Sequence, residues 1–91
     1  MDYLQKMKSE CEKELKFFKE NFDSENEIVE SCGVKIKSQR YIDLAFDEIQ
    51  HRIEQDFFGT DYDTETAEHE KLNDIRCDYE IEAREFLNSK I

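Results

Sequence analysis

The chain has 91 residues, with 24 acidic against 13 basic side chains, a formal net charge of −11, and 37% apolar residues. That length admits one domain, and the negative balance argues against direct contact with nucleic acid or an anionic membrane, both of which need a positive footprint. Two glycines and no proline are too few for the turns of a strand-rich fold, so an all-α protein is expected.

Residues 2–22 form the first element. Leu4, Met7, Cys11, Leu15, Phe18 and Phe22 recur at steps of three and four, the spacing of one helical face. The opposite side carries balanced charges, such as Glu10 with Lys13 and Glu12 with Lys16, and reads as a solvated face. Ser24 and Glu27 then match the S-x-x-E capping box, predicting a short helix that Gly33 stops from the C′ position. Its inward residues would be Ile28, Val29 and Cys32. Because Val34–Lys37 alternates apolar and basic, a small hairpin over 27–37 is the competing reading.

Ser38 is expected to cap the next helix, which runs to about Phe58 and closes at Gly59. Its main stripe is Ile42, Ala45, Phe46, Ile49, Ile53 and Phe57, with Leu44 and Phe58 pointing the other way. Asp43, Asp47 and Glu54 make a short acidic line beside it. Residues 59–64 read as a polar turn, and Asp63 or Thr64 caps a last helix over 65–88 with Leu72, Ile75, Tyr79, Ala83 and Phe86 on its apolar face. The expected architecture is a single helical domain over 1–91, an antiparallel bundle of three long helices and one short one. A helical hairpin that completes its core by dimerising is the alternative.

Chemistry-bearing motifs are scarce. Cys11, Cys32 and Cys77 lack CxxC spacing, which argues against a disulfide framework or a four-ligand zinc site, and Cys77 is the expected accessible thiol. Free thiols, a start (MDYLQKMKSE) without an apolar leader and the lack of a membrane-length apolar run predict a soluble, cytoplasmic protein. Glu48 and His51 have the Glu-x-x-His spacing of di-iron bundles, but no second copy exists. Asp61, Asp63 and Glu65 copy half of a calcium loop that then lacks its glycine and its closing glutamate. No phosphate loop or nucleophile motif is present. The chain is therefore expected to be no enzyme and to hold no cofactor or metal.

The acidic excess has a location. Residues 1–42 carry nine acids and eight bases, whereas 43–91 carry fifteen and five. Within the last helix Glu70, Asp74, Asp78 and Glu82 follow at four-residue steps, and Glu85 closes the row. Like charges at that spacing destabilise a helix by about 0.2–0.5 kcal/mol per pair. The plain reading is a solubilising face. The functional reading is a surface for a basic partner, made of Asp61, Asp63, Glu70, Asp74, Asp78, Ile81, Glu82 and Glu85, with Ile81 as the apolar anchor. Carboxylates one turn apart lie roughly 5–6 Å from each other, comparable to neighbouring phosphates of a strand. The expected function is that of a small acidic inhibitor occupying the groove of a nucleic-acid-binding protein. In size, charge and lack of catalytic residues the chain is similar to phage-encoded anti-restriction and anti-CRISPR proteins that mimic DNA; the likeness is one of composition. A dimerising adaptor or chaperone-like module using Leu44, Phe58, Phe17 and Ile81 is the alternative.

Overall fold

A computed structural model describes residues 2–59 and 67–90. Helix α1 (Tyr3–Asn21) leads into strands β1 (Phe22–Asp23), β2 (Ile28–Ser31) and β3 (Val34–Lys37), followed by α2 (Ser38–Phe58) and α3 (Ala67–Lys90). The strands make an antiparallel sheet of order β1-β2-β3. The all-α bundle is thereby corrected: the described residues form three helices and a three-stranded sheet, and no short fourth helix occupies 27–37.

The correction has a local cause. Asp23, not Ser24, organises the turn after α1: its carboxylate accepts hydrogen bonds from the backbone N–H groups of Glu25 and Asn26 and from the Asn26 side chain. The Asn26 side chain is also the main reason why the Asp23 carboxyl is held below its ordinary pKa. Cys32 and Gly33 both have positive φ, 51° and 80°, the pair of left-handed residues that a two-residue hairpin turn of type I′ requires. Gly33 therefore turns a hairpin where the sequence suggested a helix stop. Val29 anchors this hairpin, wholly buried against the helices.

The ends of α1 and α2 are set by different groups. Asp2 accepts from the N–H of Gln5 at 2.8 Å and starts α1. Ser38 is the first residue of α2 and not its cap: Lys37 takes that position without a side-chain bond, while Ser38 is buried and donates its N–H to Glu27 O at 3.0 Å. Gly59, at φ 85°, closes α2 by donating to Gln55 O.

The core joins Met7, Cys11, Leu15 and Phe18 of α1 with Ile42, Phe46, Ile49 and Ile53 of α2, and with Leu72, Ala83 and Leu87 of α3. Cross-helix contacts order them. Tyr3 meets Phe58, and the Tyr41 hydroxyl donates to Glu14, so α1 and α2 run antiparallel. Phe18 packs on Phe86 and Tyr79 reaches Glu12, so α1 and α3 run parallel. Phe57 is 44% exposed while Phe58 packs on the core, the reverse of the expected stripe.

Candidate functional site

Helix α3 turns two chemically different sides outward from its core face. Toward α2, Arg76 pairs with Asp47 at 2.8 Å and Arg84 pairs with Asp43. Glu80 lies between the two arginines, 3.8 Å from Arg76 and 3.6 Å from Arg84. Farther along the same seam, His69 Nδ1 contacts the carboxylate of Glu54, and Gln50 donates to that carboxylate at 3.0 Å. Glu54 and Gln50 are both buried. The acidic line read on α2 thus serves as an internal brace that holds α2 to α3.

The other side carries the expected site. Glu70, Asp74, Asp78, Ile81, Glu82 and Glu85 are all exposed, and Ile81 is among the few large apolar side chains open to solvent. Only Glu82 of the row has an ion pair among the described residues, to Lys19 of α1 at 3.7 Å. Lys71, beside Glu70 in the chain, pairs with none of the row. Lys8 lines a groove with Asp78, Tyr79 and Glu82, and Lys16 and Lys19 line the next groove along α1 and α3. Within the row, Asp78 and Glu82 therefore share grooves with α1's lysines. Asp61 and Asp63, together with Tyr62, lie outside the described residues.

Acidic side chains in the first turn of α3, Glu68 and Glu70, and Lys90 in the last suit the helix dipole. The middle of the row has no such compensation. Tyr79, at the border between row and core, donates to Glu12 at 3.1 Å. Burial, aided by that carboxylate, pushes its phenol up to about 12.

Other candidates resolve as structure. Glu48 and His51 are exposed, and His51 contacts Gln55 at 3.0 Å. Among the described residues no group of three or more His, Cys, Asp or Glu side chains is placed to hold a metal ion. Cys32, at the hairpin tip, is the exposed thiol; Cys77 is half-buried and Cys11 buried. No helix among the described residues is long and apolar enough to cross a membrane.

Comparison with models of known families, with curated proteins and with solved structures finds no match.

Proposed function

We propose that the chain is a small acidic, non-enzymatic binding protein of the cytoplasm that inhibits a basic, nucleic-acid-binding partner by laying the α3 carboxylates into its groove. One asymmetry supports this reading: Arg76 and Arg84 are engaged by α2 and Glu80, while Glu70, Asp74, Asp78 and Glu85 have no ion pair among the described residues. A cationic groove would relieve the repulsion along the row, in the way that phosphate is accommodated, and Ile81 would supply the desolvated contact. Steering by such a charge row raises the on-rate and is screened by salt.

Affinity purification from the source cells at low and at high salt tests the proposal. Basic nucleic-acid-binding proteins should be captured at low salt and lost at high salt. The double variant Asp74→Lys/Asp78→Lys should lose the partner by about a hundredfold or more, since reversed charges at a close contact cost several kcal/mol, while its helical circular dichroism stays unchanged. Equal capture by this variant removes the acidic face as the site.

The dimerising adaptor has one observation in its favour: Phe17 and Leu44 line a common groove. Phe58, by contrast, is packed against Tyr3 at 5.1 Å. Light scattering at micromolar protein decides this reading by a dimer that persists in high salt.

A further inference from the structure

A second surface, independent of the α3 row, lies on the sheet. Strand β3 is its edge, paired on one side only, with Val29 opposite Ile36, Glu30 opposite Lys35 and Ser31 opposite Val34. The bond from Ser38 N to Glu27 O sets the alternation of that ladder. Counting from it, Val34 and Ile36 exchange their bonds with β2, and Lys35 and Lys37 aim their N–H groups outward. The Lys35 carbonyl also points outward, whereas that of Lys37 begins α2. No other backbone or side-chain hydrogen bond reaches these outward groups among the described residues.

The two faces of this edge differ in chemistry. Val34 and Ile36 share the face of Val29, toward the helices, yet Val34 is 57% exposed. Ile36 borders a groove of about 390 Å³ whose apolar lining includes Phe17, Tyr41, Leu44 and Ala45. On the outer face, Asp23 of β1 and Glu30 of β2 give way to Lys35 and Lys37 of β3, with Arg40 following in the first turn of α2. None of these three cations has an ion pair among the described residues. This is a positive strip on a protein whose net charge is −11.

We propose that the free edge of β3 takes an extended segment of a partner protein as an added strand, with alternate residues apolar and acidic. Main-chain bonds to Lys35 and Lys37 supply the affinity of such an addition, and the alternating side chains supply its selectivity. Apolar residues would face the groove beside Leu44 and cover Val34; acidic residues would meet Lys35 and Lys37. A second copy of β3 is a poor occupant, because antiparallel self-pairing sets lysines against lysines on the outer face, an arrangement that destabilises a sheet. Edge lysines that repel a like strand thus admit an acidic one.

The test is a titration of the isotope-labelled protein with an eight-residue peptide alternating valine and glutamate, followed by NMR. The expected result is saturable shifts centred on the amides of Lys35 and Lys37 and slower hydrogen exchange there. A peptide alternating valine and lysine should bind about tenfold or more weakly. Lys35→Pro removes an outward N–H without touching the β2 ladder, so it should abolish binding while the thermal midpoint holds. Should that variant unfold the hairpin, Leu44→Glu, at a half-exposed position, serves instead and should weaken binding by charging the groove. The inference is overturned by absence of saturable shifts at millimolar peptide, by equal binding of the lysine peptide, or by unchanged binding in the folded variants. It is also overturned if the free protein is a dimer in which those two amides are already protected.

Discussion

Cys11 and Tyr79 ionise far from their ordinary values for the same reason. Burial raises the Cys11 thiol from 9.0 to about 12 and the Tyr79 phenol from 10.0 to about 12, with nearby glutamates adding to both. Each group is held neutral in the folded chain and ionises more readily once unfolded. The stability they confer is therefore complete below the unfolded values and is lost as pH rises through the folded ones. Urea midpoints measured from about pH 8 to about pH 12, with tyrosinate absorbance read alongside, should fall steadily above about pH 9; a flat profile would refute the assignment. Cys11 was legible as a core thiol because it sits on the α1 stripe. The exposure of Cys32 was not, since it depends on the hairpin turn that places it. Nor was the burial of Glu54, which α3 imposes by bringing His69 against it.

At the scale of elements, the instructive segment is 22–37. Ser24, Glu27 and Gly33 satisfy the local grammar of a short helix, and every one of those residues is found in a turn or at its edge instead. Glycine at positive φ serves a helix stop and a hairpin turn equally well, so local sequence could not choose between them. Packing does. Strands β2 and β3 place Val29 and Ile36 on one face of the sheet, toward the helices, with the charged residues of β3 outward. The alternation at Val34–Lys37 was the surviving signal, although β1 is too short to have left one. Gly33→Ala should destabilise the protein by about 1–2 kcal/mol, the cost of a left-handed residue with a Cβ. A built Cβ there meets nothing within 4 Å, so the penalty is conformational and not steric. An equilibrium unfolding curve indistinguishable from that of the parent chain would mean that the turn is not held at positive φ.

The whole molecule is governed by a net charge of −11 spread over a body 42 × 25 × 23 Å. Partly exposed ion pairs within one helix, such as Lys6–Glu10, contribute little, so self-repulsion among the remaining carboxylates should dominate the response to salt. The urea midpoint is expected to rise between about 10 mM and about 300 mM sodium chloride, where the screening length falls below the separation of distant charges. A midpoint that drops would show instead that the Arg76 and Arg84 brace outweighs the repulsion.

Phe58 packs on the core where Phe57 was expected, and Leu87 is buried although it lay outside the expected α3 face, so the sequence did not decide every inward residue. The three long helices themselves were settled by the sequence alone, because apolar residues at steps of three and four mark one face of a helix. So was the crowding of acidic side chains on α3, which the helical period arranges without help. Which carboxylates find partners is a different matter. Asp43 and Asp47 form ion pairs with arginines, and Asp74 and Asp78 form none among the described residues, because α3 lies antiparallel to α2 with its arginines turned inward along that seam, a relation between residues about thirty to forty positions apart. Charge pairing across helices, like the choice between hairpin and short helix, depends on distances that exist only once the chain has closed on itself.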